Sequence, residues 1–595
     1  MKVVCLVKQV PHPSAIDFDE ETKTLKREGV PLMLNPFDAW ALAQAARLGG
    51  ELVAITMGPP SAEEALRQCL ALGASRGIHL SDRVFALADT IGTSRTLALA
   101  LERENADLVV CGRKAVDAET GQVPPEVAAF LEWPHVTNVT AVESAGSGFR
   151  LTRDTDEGSE IYEVDSPAVI SIGAAPGDFE LPDPGSDDAG RIELLTAADL
   201  VGEVHENDKR FGQTGSPTRV LAVRDVRPQR GGELAETPED AADQILVLLD
   251  ALEPELTSWE KPAHIGEKPG ESFDCWTMVE LRDGKPTRLS LELLAKGREL
   301  AGKLGGRNVA LVLGADVEDA VREAARFGAE VVYAGEDAAL AEYHPETFAA
   351  AVRQIVEEHE PHAFLIPASA RGRDFGPRVA GELELGMTAD CVNLGIDRGG
   401  RLIQTKPAYG GAFISIIMGA TTPQLATVRS RMFELLEPRD DDAEVRRLEL
   451  GPLPTTRVRV AARTADSPAW RLEEADVVVG AGLGVGGPEA LPELEALAQR
   501  LSAPVGGDRE ACDAGWLPRN REIGLYGRAL APRLYLAVGV NGDFEHLTGP
   551  MKAGVIAAID ADPEAPMLAE ADVALAGDWR EVLPRLVDAL LERFG

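Results

Sequence analysis

Short runs of apolar residues alternate with segments of helical periodicity along most of this chain. The apolar run at 107–111 follows a helical segment at 93–104, and the run at 362–366 follows another at 347–358. Short strands that alternate with amphipathic helices are typical of βαβ units in a parallel sheet. The pattern therefore predicts an α/β fold built on parallel sheets.

The chain also repeats itself. Residues 65–74 and 320–329 share the form Ala-x-Arg followed by Gly-Ala, and each segment leads into the helix and strand described above. Such an internal repeat indicates two related domains. A third α/β unit follows from Asp476. We expect a nucleotide-binding-type domain with a C-terminal arm at 1–252, a linker at 253–272, a second copy of the first domain at 273–462, and a Rossmann-like domain at 463–595.

The arm of the first domain carries a helix signal. Thr237 is a suitable N-cap and Pro238 suits the first helical position. An amphipathic helix is therefore expected from there to Leu252.

The composition narrows the range of functions. A formal net charge of −39 at pH 7 disfavours nucleic-acid binding, because neutralising phosphates requires a basic face. No apolar run in the sequence approaches the length of a membrane-spanning helix, so the protein is not expected to be membrane-embedded. The six cysteines are widely spaced, which indicates a reducing compartment, expected to be the cytoplasm, and argues against a metal site.

A glycine-rich turn near the C-terminus is the clearest candidate for a binding site. The apolar run at 534–538 ends at Gly539 and Gly542 and leads into a helical segment. Backbone N–H groups at the start of such a helix can face a phosphate. A second apolar run, which ends near Asp560, is followed by a polar, proline-rich turn. This layout is typical of the nucleotide-binding edge of a parallel sheet.

These two segments resemble the FAD-binding signature of the electron transfer flavoprotein alpha subunit. The resemblance to that subunit begins at Trp276 and includes the motifs at 290–297, 372–380, 388–391 and 406–411. The N-terminal domain resembles the beta subunit in the motifs at 7–11, 34–38, 71–80, 112–117 and 228–232. The chain is therefore similar to a beta and an alpha subunit of an electron transfer flavoprotein, of the FixA and FixB type, fused in one polypeptide.

The resemblance implies an electron carrier rather than an enzyme that converts a substrate. Such a carrier shuttles electrons from acyl-CoA or other dehydrogenases to a quinone oxidoreductase or another acceptor. The resemblance implies FAD in the C-terminal site and AMP in the N-terminal site, or a second FAD there if the carrier is electron-bifurcating. A fused chain needs no separate subunit. The stretch at 180–189 corresponds to a lysine-rich docking loop of mitochondrial-type beta subunits but is acidic, so a partner that docks there is expected to be basic.

The N-terminal site is expected at the turn between the strand at 107–111 and the next helix. Gly121 permits a close backbone approach, and the Thr120 hydroxyl together with N–H groups at the helix start would hold a phosphate. A turn without any ligand is the alternative. The resemblance and the positions of the strand ends give the expected nucleotide-binding residues Leu6, Asn35, Pro36, Phe37, Asp38, Met57, Asp117, Thr120, Gly121, Gln122 and Val123.

At the C-terminal site the resemblance assigns a direct role to two residues. Arg509 matches an arginine that lies over the flavin ring, where a guanidinium stabilises an anionic flavin. His546 matches a histidine near the flavin carbonyl. The residues expected to bind FAD are Arg509, Gly524, Leu525, Tyr526, Asn541, Gly542, Asp543, Phe544, His546, Asp560, Asp578 and Trp579.

This C-terminal site also departs from the family pattern. Gly482 stands where the family has an arginine, Asp508 where it has a serine, and Asp560 where it has an asparagine. Two like charges about 4 Å apart repel by about 4 kcal/mol at an effective dielectric of about 20. We therefore expect FAD to bind weakly, to bind with a cation, or not to bind. The alternative to the carrier is a nucleotide-binding scaffold or sensor of the same fold that has lost the redox FAD, and a yellow preparation would distinguish the two.

Overall fold

The computed structural model describes residues 1–19, 24–26, 29–175, 191–205, 207–226, 230–252, 260–264, 273–440, 442–465 and 471–594. Unit 1 comprises Met1–Arg224, Thr257–Tyr409 and Ile414–Thr464, and unit 2 comprises Asp225–Leu256, Gly410–Phe413 and Ala465–Gly595. The acidic stretch at 180–189 lies outside the described residues, as does most of the expected linker and part of the motif at 228–232. The domain boundaries given above stay predictions.

The apolar runs of the first half form strands, and the segments of helical periodicity form helices. The run at 107–111 corresponds to β8 and the segment at 93–104 to α3. The elements up to residue 252 are β1 Lys2–Val7, β2 Gln9–Pro11, β3 Asp17–Asp19, β4 Thr24–Lys26, β5 Leu32–Leu34, α1 Pro36–Leu48, β6 Glu51–Met57, α2 Glu63–Ala71, β7 Arg76–Leu80, α3 Thr90–Leu101, β8 Leu108–Gly112, α4 Val123–Phe130, β9 His135–Ala145, β10 Gly148–Asp154, β11 Gly158–Asp165, β12 Ala168–Ile172, β13 Ile192–Leu195, α5 Ala197–Val201, β14 Thr218–Asp225, β15 Glu233–Leu234 and α6 Pro238–Ala251.

The second half begins with the same alternation. The run at 362–366 corresponds to β21 and the segment at 347–358 to α9. The elements up to residue 465 are β16 Cys275–Val279, β17 Leu281–Arg282, β18 Lys285–Pro286, α7 Arg288–Leu304, β19 Asn308–Gly314, α8 Glu318–Arg326, β20 Val331–Glu336, α9 Pro345–His359, β21 Ala363–Pro367, α10 Gly372–Leu383, β22 Met387–Cys391, β23 Asn393–Ile396, β24 Leu402–Ala408, β25 Phe413–Gly419, β26 Gln424–Val428, β27 Glu444–Leu448 and β28 Val458–Ala465. The remaining elements are β29 Val477–Ala481, α11 Leu491–Arg500, β30 Val505–Gly507, α12 Arg509–Asp513, β31 Leu534–Val538, α13 Phe544–Leu547, β32 Val555–Asp560, α14 Pro566–Ala569, β33 Val573–Ala576 and α15 Trp579–Phe594.

Unit 1 contains the same strand order twice. The order β7-β6-β1-β8-β12-β9 in the first half matches β20-β19-β16-β21-β26-β22 in the second, and neighbouring strands are parallel in both. The first sheet continues through the antiparallel strands β10 and β11 to β28 at its edge. Strands β8, β16 and β21 are buried along their whole length, as expected where helices cover both faces of a parallel sheet.

Unit 2 is a six-stranded parallel sheet with the order β15-β33-β32-β31-β29-β30. Its edge strand β15 and the helix α6 come from the arm of the first half, and α6 packs against α15. The Thr237 side chain accepts a hydrogen bond from Asp240 N at 3.1 Å, which confirms the predicted N-cap. The predicted fold class, an α/β protein of mostly parallel sheets, is confirmed. Within the described ranges, no helix has the length and apolarity needed to cross a membrane.

Candidate functional site

The first candidate site lies in unit 1, where the parallel strands β1, β6 and β8 end at one edge. Val7 pairs with Thr56, and Leu6 pairs with Cys111. Met57 ends β6, and Gly112 ends β8. The strand register therefore brings the expected residues Leu6 and Met57 to the same edge as the turn after β8.

Asn35 and Asp38 tie the start of α1 to this edge. Asn35 Nδ2 donates to Lys114 O at 3.0 Å, and Asn35 Oδ1 accepts from Val116 N at 3.2 Å. Asp38 accepts from Lys8 N at 2.8 Å and from Gly112 N at 3.0 Å. Burial raises the pKa of Asp38 to about 7, and these hydrogen bonds oppose the shift. The polar atoms of both side chains thus bond to the protein itself and fix the turn that follows β8.

The turn between β8 and α4 is held from several directions. Lys8 Nζ donates to Asp117 Oδ2 at 2.6 Å, and Arg113 lies over the ring of Phe37, its Cζ 4.9 Å from the ring centroid. The Gln122 amide donates to Glu126 Oε1 at 3.0 Å and to Met387 O at 3.2 Å. The Gln122 side chain therefore joins the two halves of unit 1.

The start of α4 differs from the expectation. Gly121 has φ +62°, a conformation that favours glycine, and Val123 begins the helix. However, Pro124 and Pro125 in its first turn have no backbone N–H, and Glu126 N already bonds to Gln122 O at 3.1 Å. The first turn of α4 therefore lacks two N–H donors. Side-chain charge would add to what the backbone at 120–123 offers a phosphate beside Thr120.

The second candidate site lies in unit 2, at the edge where β29 to β33 end. Arg509 Nη1 is 3.0 Å from Glu545 Oε2, and its Cζ lies 4.6 Å from the centroid of the Tyr526 ring. The Tyr526 hydroxyl donates to Glu545 Oε1 at 3.3 Å, and Leu525 N donates to Glu545 O at 2.7 Å. Arg509 and Tyr526 are therefore brought together as expected, but Glu545 offsets the charge of the guanidinium.

His546 is buried beneath this cluster. Its Nε2 is 2.7 Å from Tyr535 Oη, and its backbone N donates to Asp543 Oδ1 at 2.7 Å. Burial lowers the pKa of His546 to about 4, against the opposing charge of Asp543, so the imidazole is neutral at pH 7. A Cβ at Gly480 would lie 1.7 Å from Tyr535 Oη, so the glycine makes room for the tyrosine.

The end of the site expected to face a pyrophosphate is acidic and closely packed. A Cβ at Gly482 would lie 2.2 Å from Gly539 O and 2.7 Å from Asp508 Oδ2, so the arginine of the family pattern does not fit at Gly482 without a backbone shift. Asp508 is 4% exposed and caps α12 by accepting from Ala511 N at 2.8 Å. Burial, with Glu510, Asp543 and Glu522 nearby, raises the pKa of Asp508 to about 6.

The other expected residues are placed as follows. The helix after Gly542 is α13, a single turn of four residues capped by Asp543, so its N-terminus is already occupied by a carboxylate. Asp560 accepts from Asp562 N at 2.9 Å, and Asp578 accepts from Arg580 N at 2.9 Å. Trp579 is buried and its Nε1 donates to Val485 O at 3.2 Å, so the indole is not free to stack on a ligand. The exposed Asn541 and the buried Gly524 lie in the surrounding turns, and the half-buried Phe544 begins α13.

The residues of this second site fit the ring end of a flavin better than its phosphate end. Arg509 and Tyr526 form a cationic and aromatic pair, and the buried His546 is neutral, which suits a ring that gains negative charge on reduction. The acidic Asp508 and the missing arginine at Gly482 are the features that oppose binding of the phosphates.

The sequence did not single out Glu545 and Tyr535 at the second site, nor Lys406, which donates to Ala118 O in the turn after β8, nor Arg429, whose Nη2 is 3.2 Å from Asp390 Oδ2. Glu545 lies within the motif that carried the C-terminal resemblance, and Lys406 lies in the motif at 406–411. Both residues therefore lie in motifs that the sequence identified, but their contacts are known only from the structure. Arg429 follows β26 and carried no sequence signal.

Comparison with known proteins identifies the family of this chain. The profile of the electron transfer flavoprotein domain matches residues 22–200 and again 275–453, and that of the electron transfer flavoprotein FAD-binding domain matches 471–551. The electron transfer flavoprotein subunit alpha of Thermoanaerobacterium thermosaccharolyticum is 35% identical over 327 residues, which cover 53% of this chain and 97% of that protein. Protein FixB of Azorhizobium caulinodans is 35% identical over 328 residues, which cover 53% of this chain and 88% of that protein. The chain belongs to the electron transfer flavoprotein family.

Proposed function

We propose that this chain is a one-polypeptide electron carrier in which the beta-like and alpha-like parts are fused. The repeated match to the electron transfer flavoprotein domain and the repeated strand order of unit 1 support the fusion. The observation that carries the function is the Arg509–Tyr526–Glu545 arrangement within the segment matched by the FAD-binding profile.

FAD bound at this edge supplies one- or two-electron chemistry. Arg509 and Tyr526 would hold the ring system, and His546 would contribute a neutral imidazole nearby. Leu525 and Gly524 fix the turn that positions Tyr526. Glu545 holds the Arg509 guanidinium in place and offsets its positive charge. The chain therefore positions and tunes the cofactor and forms no covalent bond with a substrate.

The N-terminal edge of unit 1 is proposed to hold AMP, or a second FAD in a bifurcating carrier. Its support is the convergence of Leu6, Met57 and the turn at 112–123 on one sheet edge, where open α/β sheets bind ligands. The proposed electron donors are acyl-CoA or other dehydrogenases, and the proposed acceptor is a quinone oxidoreductase. The proposed partner surfaces are basic, because the chain itself is strongly acidic.

The experiment is a count of bound cofactors. The full chain is purified, its visible spectrum is recorded, and the nucleotides released by acid are identified. One FAD with one AMP per chain supports a single-flavin shuttle, and two FAD support a bifurcating carrier. A colourless protein that stays colourless after incubation with FAD would overturn the carrier hypothesis and favour the scaffold or sensor. The buried Asp508 is the observation that motivates this alternative.

A further inference from the structure

The turn between β8 and α4 meets the second half of unit 1 at a group of charged side chains that we call the junction cluster. It consists of Lys114, Glu119, Arg373, Asp390, Lys406 and Arg429. Lys114 Nζ is 3.0 Å from Glu119 Oε2, Arg373 Nη2 is 2.8 Å from Asp390 Oδ1, and Arg429 Nη2 is 3.2 Å from Asp390 Oδ2. Lys406 Nζ donates to Ala118 O in the turn itself.

The junction cluster has more positive than negative charge. Its four cations share two carboxylates, Glu119 and Asp390. Lys406 is only 4% exposed, and burial lowers its pKa and that of Lys114, while Glu119 opposes both shifts. Buried charges are costly unless they are paired. The chain as a whole has a formal charge of −39, so a local excess of cations is opposite in sign to its net charge. This excess indicates a binding site for an anion.

The position of the cluster supports the same conclusion. Arg429 Nε is buried without a hydrogen-bond partner among the described residues. The first turn of the neighbouring α4 lacks two N–H donors because of Pro124 and Pro125, so an anion beside Thr120 would draw its countercharge from side chains.

We propose that the junction cluster binds a phosphate group, held by Lys114 from the first half of unit 1 and by Lys406 and Arg429 from the second. The ligand is either inorganic phosphate or the phosphate of a nucleotide in the N-terminal site, and the second of these rests on the proposed function. The site is incomplete without the second half of the chain, because residues 1–252 supply only one of its three donors.

The test measures binding of inorganic phosphate, AMP and adenosine to the nucleotide-free full chain by calorimetry. Loss of one buried charge-assisted hydrogen bond weakens binding by about 10- to 100-fold. We expect Lys406→Gln and Arg429→Gln to weaken phosphate and AMP by that factor and to leave adenosine unchanged. Lys406→Arg is expected to retain most of the affinity. The matched control is Arg401→Gln. It removes an exposed cation that pairs with Asp397 and lies just before β24, the strand that contains Lys406.

The outcomes separate this proposal from the proposed function. Phosphate binding that depends on Lys406 and Arg429, without AMP binding, supports the cluster and contradicts the nucleotide site. AMP binding that is equal in the wild type, Lys406→Gln and Arg429→Gln overturns the cluster and leaves the nucleotide site standing. Absence of phosphate and AMP binding to the wild type overturns both. If Lys406→Gln does not fold, Arg429→Gln gives the same decision.

Discussion

At the scale of single residues, Asp508 is the side chain most at odds with a flavin site. It is buried, its carboxyl faces Gly482, and its raised pKa of about 6 means that it is ionised above that pH. We expect Asp508→Asn to bind FAD about tenfold more tightly near pH 8, since about 1.4 kcal/mol of repulsion is removed. Asparagine preserves the N-cap of α12. Fluorescence quenching of FAD by the apoprotein measures the affinity.

The sign of the pH dependence provides the internal control. Because wild-type Asp508 takes up its proton as the pH falls below about 6, the gain in FAD affinity is expected to disappear near pH 5. Asp588→Asn, an exposed change in α15, serves as the matched control. A gain of the same size at both pH values would mean that charge is not the reason for it.

Glu545 is expected to set the reduction potential of the flavin. Its carboxylate bonds to both Arg509 and Tyr526, so Glu545→Gln removes a negative charge and leaves the guanidinium with only the longer contact to Asp513, at 3.5 Å. Both effects favour the reduced, negatively charged ring. We expect the midpoint potential to rise by about 30 mV for each 1.4 kcal/mol of added stabilisation in a two-electron couple. Spectroelectrochemical titration measures the shift.

Glu592→Gln is the control for this change, because α15 leads away from the carboxyl edge and Glu592 lies at its far end. A potential that is equal in the two variants would contradict the assigned role of Glu545.

At the scale of elements, a buried ionic network fixes α10 of the second half of unit 1 to the first half. Asp374 is fully buried, its Oδ2 lies 3.1 Å from Nη1 of Arg153, which is 2% exposed, and it accepts from Thr137 Oγ1 at 2.7 Å. Asp374→Asn would leave a buried guanidinium without its carboxylate, at a cost of about 3–5 kcal/mol. We expect a large fall in the urea midpoint of unfolding.

The exposed pair Arg459–Asp165 gives the comparison, because both side chains are more than half exposed, at 55% and 53%. Asp165→Asn is expected to lower the urea midpoint far less, because solvent screens the exposed pair. Equal effects of the two substitutions would show that the buried network does not hold the halves together.

These elements also show which features of the fold can be predicted from the sequence. Thr237 and Pro238 marked the start of α6, because a helix cap is a local property. The repeat between 65–74 and 320–329 predicted two related α/β parts, but their strand order came from the structure. The bonds from Arg153 to Asp374, from Lys406 to Ala118 and from Gln122 to Met387 join residues more than 200 positions apart. No local pattern encodes such a pair. The candidate sites were therefore located by their turns, while their charge balance required the structure.

At the scale of the whole molecule, the acidic surface governs which redox partners approach. The chain has 98 acidic and 59 basic side chains, and surface charge of one sign steers oppositely charged reactants until salt screens it. We expect the reduced protein to be oxidised by the cationic hexaammineruthenium(III) more slowly as salt rises, by about tenfold between about 10 mM and 500 mM. Oxidation by anionic ferricyanide is expected to accelerate over the same range. Stopped-flow measurement of both rates decides the matter, because two reactions that respond to salt alike would show that local contacts, and not the field of the molecule, control electron transfer.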